Sequence, residues 1–305
     1  MQQKNFRYYI YLVISMFLWG GSFVLTKHLL IDFNPITLIF IRCVIASLLF
    51  ATFCVIVYKN EFKIARKDLK YFIGLAFFEP FIYFLFETYS LKLCDASVVS
   101  VIIATIPLFV ALMAMFVFKE KLSRLNFFGI ILSISGILIM LWKNFTEADF
   151  SFLGVFLAFG AVFSTIGYNF FLKKLNHIYT PVIIITWQNI FGLIAFFPLV
   201  FLVNNPETIA FQYHALGDVK NFSFILTLSI FCSTIAFILY IDSMRKMGLA
   251  RTNIFVNLIP VMTMIIAYFV LREEITLFKI IGVLIVIVGI FLVQDERKKR
   301  ESFWV

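Results

Sequence analysis

Two stretches decide the fold: residues 107–142, PLFVALMAMFVFKEKLSRLNFFGIILSISGILIMLW, and residues 260–295, PVMTMIIAYFVLREEITLFKIIGVLIVIVGIFLVQD. They align without a gap at a constant offset of 153 residues. Pro107 falls on Pro260, Lys119-Glu120 on Arg272-Glu273, Gly129 on Gly282 and Gly136 on Gly289. Upstream, Ser90-Leu91-Lys92 falls on Ser243-Met244-Arg245 at the same offset. Lys27 and Asn34-Pro35 fall on Lys173 and Thr180-Pro181 at an offset of 146. Agreement of a Pro, a Glu and two Gly at fixed spacings argues a duplication, with units over 1–146 and 147–305.

The surrounding composition says where such units live. Of 305 residues, 62% are hydrophobic and 14% charged, whereas a soluble domain carries roughly a quarter charged residues. A globule of this length still exposes much of its surface and cannot hide that much apolar side chain. Lipid is the remaining solvent. A hydrocarbon core about 30 Å thick needs roughly 20 apolar residues per helix. Ten stretches qualify, near 8–26, 35–58, 71–91, 96–118, 126–142, 151–172, 181–203, 221–243, 252–271 and 277–294. The first follows Lys4 and Arg7 like a secretory signal peptide. Its apolar run is too long and lacks a small-x-small cleavage site, so it reads as a helix of the mature protein. The fold class is thus an all-α polytopic membrane protein.

Orientation follows from the basic residues, which concentrate on cytoplasmic loops. With a cytoplasmic N-terminus, nineteen of the 26 Lys and Arg fall on the cytoplasmic side, six on the far side, and Arg42 inside a span. That bias places both termini in the cytoplasm. No nucleic-acid partner is expected, because the basic residues are spread over separate loops and tails and not concentrated in one arm or stripe. Five spans per unit is an odd number, so the second unit enters the membrane upside down. The loop charges agree: Lys121 becomes Glu274 and Arg124 becomes Leu277. Inverted repeats recur in secondary transporters, with the site near the midplane between halves that rock.

These residues resemble the EamA-type branch of the drug/metabolite transporter superfamily. Trp19-Gly20-Gly21-Ser22-Phe23 in the first span and Arg42 with Ala46 in the second carry the likeness. The run from Pro107 through Glu120 to Gly129 and Gly136 closes one half, and Pro260, Glu273, Gly282 and Gly289 repeat it. The resemblance spans roughly 11–142 and 152–294. It implies a bacterial inner-membrane permease or exporter for small metabolites, amino acids among them. It also implies a central cavity lined by the first four helices of each half, with the fifth and tenth outside as scaffold.

Ionisable groups at membrane depth are costly, by about 2.5–3.5 kcal/mol on insertion scales, and default to functional hypotheses. Arg42, Glu79 and Glu87 qualify, while Asp242 beside Arg245 and Lys246 reads as a helix-end charge pair. Glu79, Tyr83 and Glu87 follow at four-residue steps and share one broad helical face. Two readings stand side by side: an Arg42–carboxylate ion pair pinning spans two and three, and a solute or proton site in a water-filled cavity. Trp19, Tyr168, Asn169, Trp187, Gln188, Asn253 and Asn257 are further candidates to line it. Gln188 stands at the position of Arg42 in the second unit. Pro107 and Pro260 remove backbone donors mid-span and are expected to kink their helices. Gly129, Gly136, Gly282 and Gly289 recur seven apart on one face, which allows close helix approach.

No enzyme chemistry is recognisable. There is no Gly-rich phosphate loop, nucleophile elbow or His-Glu-x-x-His run. Cys43, Cys54, Cys94 and Cys232 are scattered, and His28, His177 and His214 lack ligand spacing. No cofactor or metal is expected, and the partners are a small-molecule solute and the lipid bilayer, with a monomer and a homodimer both open. A secondary transporter is the leading reading. A polytopic enzyme acting on a lipid-linked substrate and a channel are the alternatives.

Overall fold

A computed structural model describes residues 2–58, 62–109, 124–142, 151–248, 252 and 255–295. Among them the chain is helical, without a strand. The helices are α1 (Gln2–Leu29), α2 (Pro35–Val57), α3 (Leu69–Leu93), α4 (Ala96–Phe109), α5 (Arg124–Leu141), α6 (Phe152–Leu175), α7 (Pro181–Val203), α8 (Pro206–Leu216), α9 (Val219–Met247), α10 (Leu258–Val270) and α11 (Leu277–Asp295). Among the described residues six are long and apolar enough to cross a bilayer: α1, α2, α3, α6, α7 and α9. The apolar helices at the other four expected spans are shorter, in part because 110–123 and 253–254 lie outside the described residues.

Helix starts follow from local chemistry. Asn34 caps α2 by accepting from the Ile36 N–H at 3.1 Å, and Pro35 sits in the first turn, where an N–H has no helical partner. Pro181 repeats this start on α7. Ser151 accepts from Gly154 N–H at 3.1 Å to open α6. Asn205 accepts from Thr208 N–H at 2.7 Å to open α8, a helix between the apolar spans. Gln212 then straps α8 down, donating to Asn204 at 2.9 Å and accepting from the Asn34 N–H at 3.2 Å.

Two helices widen mid-span in corresponding places. In α3 a π-helical turn spans Phe77–Ile82, with Glu79 extended at φ −147°, ψ 120°. Pro80 explains the break: it offers no N–H, and its ring blocks the carbonyl one turn earlier. In α9 a π-helical segment spans Thr227–Ile235, and shifting 77–82 by 153 gives 230–235. No proline marks that break. Hydroxyls take up local carbonyls instead, Thr234 donating to Ser229 O at 3.0 Å and Ser229 to Ile225 O at 2.7 Å.

Pro107 and Pro260 behave differently from the expected mid-helix kinks. α4 winds regularly to Ile103, turns at Ala104-Thr105 and resumes just before Pro107. Pro260 stands in the first turn of α10, directly after a 3-10 turn over Phe255–Asn257. Each proline therefore sits where a new helical segment starts and its missing donor costs little; the break lies on its N-terminal side.

Packing divides into an outlying pair and a central bundle. Among the described residues α5 and α11 make the most extensive contact of any two helices. A Cβ at Gly282 would stand 2.7 Å from Gly136 O, one at Gly136 2.8 Å from Gly282 O, and one at Gly289 2.6 Å from Gly129 O. In the bundle α2 packs on α7, α3 on α6, and α1 on α9 and α10. α1 and α10 approach closely at Gly20, whose carbonyl accepts from Thr263 Oγ1 at 3.1 Å. Outward faces carry exposed Leu48, Ile56, Phe128, Phe156, Phe163, Phe197 and Phe201, an apolar surface suited to lipid.

Candidate solute-binding cavity

A cavity of about 730 Å³, counting the space at its mouth, lies between α1, α2, α3, α4, α6, α9 and α10. Each helix supplies side chains at spacings that share a face. α1 gives Trp19, Ser22 and Phe23; α3 gives Glu79, Tyr83, Phe84 and Glu87; α6 gives Thr165, Tyr168 and Asn169. α4 adds Ile103 and Ile106, α9 adds Cys232, Phe237 and Tyr240, and Val256 and Ile259 close the wall near α10. Trp19 stands at the centre of an aromatic cluster, 4.8 Å from Phe237 and 5.0 Å from Tyr240 between ring centroids.

Arg42 enters from α2. Its Nε and Nη2 donate to Ser233 Oγ at 3.2 and 2.9 Å, and its guanidinium carbon lies 4.5 Å from the Phe84 ring centroid. The cation is thus held by a hydroxyl of the other half and by an aromatic face, a contact worth about 2 kcal/mol when desolvated. It forms no ion pair with Glu79 or Glu87. Of the two readings drawn from sequence, direct pairing across spans two and three is not what the side chains adopt. Arg42 Nη1 is left without a protein partner, as are Trp19 Nε1 and Tyr168 OH.

The carboxylates face the same space. Glu87 accepts from Tyr83 OH at 3.5 Å, while among the described residues none donates a hydrogen bond to Glu79, which is 4% exposed. Extended backbone at Glu79 releases its carboxyl from the helix surface and lets it point inward at the π-helical turn. Buried polar groups are satisfied as a rule, and each exception calls for an explanation. Here the unpartnered donors and the Glu79 acceptor line one cavity, which makes it suited to a small solute that carries both kinds of group.

The expected site residues separate into three sets. Trp19, Arg42, Glu79, Tyr83, Glu87, Tyr168 and Asn169 line the cavity together. Trp187, Gln188 and Asn257 were expected beside them and stand apart from it. Trp187 donates to Phe62 O at 2.9 Å and stacks on the Phe62 ring, because this part of α7 meets the 62–68 segment. Gln188 and Asn257 are buried, with Gln188 Oε1 and both polar atoms of the Asn257 side chain unpartnered. Asn253 lies outside the described residues, as does Glu120. Sequence reasoning missed Tyr240, Cys232 and Ser233. The repeat carried the signal, since the 153-residue offset maps Glu87 onto Tyr240, Glu79 onto Cys232 and Pro80 onto Ser233. Among the described residues no cluster of His, Cys, Asp and Glu could hold a metal ion.

An all-helical chain with several membrane-crossing helices around a polar, aromatic-walled cavity is a multi-pass membrane protein of transporter type. The chain belongs to the EamA-like transporter family, whose description it matches twice, over residues 6–142 and 152–294. Relatives extend over nearly its whole length. The uncharacterized transporter YetK of Bacillus subtilis is 24% identical, covering 99% of this chain and 91% of its own. An uncharacterized transporter of Archaeoglobus fulgidus is 25% identical, covering 95% and 99%. A protein of Escherichia coli described as a probable amino-acid metabolite efflux pump is 21% identical, covering 92% of each chain. A solved crystal structure shares the fold with a TM-score of 0.67 at 14% identity, covering 95% of this chain and 97% of that one.

Proposed function

We propose that the protein is a secondary carrier, not an enzyme, which moves a small amphoteric metabolite across the bacterial inner membrane by alternating access, in the direction of export. The observation that carries this reading is the cavity that Arg42 Nη1 and Trp19 Nε1 line as unpartnered donors and Glu79 lines as an acceptor. An ammonium group would meet Glu79 and a carboxylate would meet Arg42, while Phe237 and Tyr240 would flank the apolar part. The name of the Escherichia coli relative supports an amino acid or a close metabolite as the solute class.

The architecture proposed with it has ten spans in two inverted units, 1–146 and 147–305, with both termini cytoplasmic. The packing supports that plan. A two-fold relation between halves would pair the second span with the seventh and the fifth with the tenth. It would also make the first-with-eighth and third-with-sixth contacts equivalent. α2 on α7, α5 on α11, α1 on α9 and α3 on α6 follow that scheme. The matched π-helical segments of α3 and α9 support it too.

Counterflow tests the function. Purified protein in proteoliposomes, preloaded in turn with members of an amino-acid and amine panel, is given the labelled solute outside. A carrier exchanges it against the internal pool and accumulates label transiently above equilibrium. Absence of such an overshoot across the panel, with unsaturable flux in its place, would refute the carrier reading.

A further inference from the structure

At one end of the bundle four charged side chains from separate parts of the chain meet. Lys27 closes α1, Asp95 lies between α3 and α4, Glu273 lies between α10 and α11, and Lys279 opens α11. Lys27 Nζ lies 3.3 Å from Asp95 Oδ1 and 3.7 Å from Glu273 Oε1, and Lys279 Nζ lies 2.8 Å from Asp95 Oδ2. Lys27 also donates to Cys94 O at 2.7 Å. Glu273 accepts from the Ala96 N–H at 2.7 Å, from the Ser97 N–H at 3.4 Å and from the Ser97 hydroxyl. It thereby caps α4 from the other half, and an anion is favoured at that helix end. Asp95 is held below the ordinary carboxylate range: burial opposes ionisation, and Lys27 and then Lys279 outweigh it.

This network differs from an ordinary surface ion pair. The side chains of Glu273 and Lys279 are only 8% and 6% exposed, so water competes weakly for them. The network also joins the ends of α1 and α4 to the α10–α11 connection, and α1, α4 and α10 carry cavity residues Trp19, Ile103 and Ile259. Parting these helix ends would open the cavity to that face. The second copy of these four positions does not keep all four charges. The repeat maps Lys27, Asp95, Glu273 and Lys279 onto Lys173, Gly248, Glu120 and Asn126, which removes one acid and one base.

We propose that Lys27, Asp95, Glu273 and Lys279 form a gate lock: closed, it seals the Lys27 face of the cavity, and it must break for solute to pass there. The inference rests on the carrier reading above. Its energetic content is that the network biases the empty carrier toward the state closed on this face, because only that state makes these bonds.

Accessibility tests the lock. In a background with Cys43, Cys54, Cys94 and Cys232 replaced by Ala, Ser22→Cys reports from the cavity wall. A membrane-impermeant methanethiosulfonate is applied to the Lys27 face, in intact cells or in inverted vesicles as the topology assay dictates. Lys27→Met, Lys279→Met and Glu273→Gln are compared with the parent after each is checked for monodisperse behaviour in detergent. Glu273→Gln keeps an accepting oxygen for the α4 cap while removing the charge. Labelling is expected to accelerate about tenfold in the folded variants, the population shift produced by losing ~1.4 kcal/mol of closed-state preference. Rates equal to the parent in every folded variant overturn the lock. Counterflow by the parent protein is measured separately, and its absence would overturn the carrier reading without altering the labelling comparison.

Discussion

Replacing Gly289 by Ala tests the α5–α11 contact with a sign that helix propensity alone would get wrong. In an exposed helix interior, Gly→Ala stabilises by about 1 kcal/mol through lost chain freedom in the unfolded state. At Gly289 the new methyl would lie 2.6 Å from Gly129 O and 2.7 Å from Ser133 N, several tenths of an ångström inside van der Waals contact. Both atoms belong to backbone, so relief requires the two helices to separate, and overpacking of this kind costs about 1–3 kcal/mol. Gly282→Ala meets Gly136 O at 2.7 Å and should behave alike. Gly21→Ala is the control, because its methyl finds only the flexible end of Ile266 at 3.7 Å. Thermal unfolding in detergent, followed by tryptophan fluorescence, should show Gly289→Ala and Gly282→Ala below the parent and Gly21→Ala at or above it. Solute KM should stay unchanged in the two scaffold variants, since neither α5 nor α11 lines the cavity. Scaffold variants as stable as the parent would refute the close-contact reasoning.

Three further outcomes are expected. Arg42→Gln should accumulate in membranes and unfold like a folded protein while transport falls at least about tenfold, because a cation-assisted contact of ~1.5 kcal/mol or more is removed; unaltered counterflow kinetics would exclude Arg42 from solute binding. Glu79→Gln, a permanently neutral isostere, should still exchange solute in counterflow, with a KM raised about tenfold by loss of the ammonium's charged partner, but lose the response of net transport to an imposed pH gradient; a wild-type carrier indifferent to such a gradient ends that assignment. Cysteine placed by Lys63→Cys or by Asp149→Cys, labelled by an impermeant thiol reagent in intact cells, should react only at position 149; comparable labelling at position 63 reverses the proposed orientation.

Much of this molecule is legible in its sequence, and the unread parts have physical causes. Apolar run lengths marked the membrane helices because lipid demands an almost uniform side-chain chemistry. The charged residues at depth were equally visible, since burying them is costly enough to single out Arg42, Glu79 and Glu87. Their partners were not visible. Arg42 turns to Ser233, a residue 191 positions away, rather than to the carboxylates one span along. Helical periodicity says which face a side chain occupies and nothing about which distant helix meets that face. Trp187 illustrates the same limit: an indole and the Gln188 amide on α7 look like a cavity wall, yet the indole is taken by the backbone carbonyl of Phe62. The widened turn of α9 was hidden because no proline announces it, although the repeat pointed to its place through Pro80.

The widened turn of α3 makes this span two helical rods in series, with their relative rotation set by one residue of register. A residue occupies about 100° of an α-helix. Removing Pro80 would let the two rods fuse into one, and the second rod, Tyr83–Leu93, would swing by about that angle relative to the first. Glu87 and Tyr83 would leave the cavity wall for a neighbouring helix or the lipid, with every other span untouched. The polarity of the chamber thus depends on residue count as well as residue identity, and a deletion there would alter its chemistry without changing any side chain that lines it.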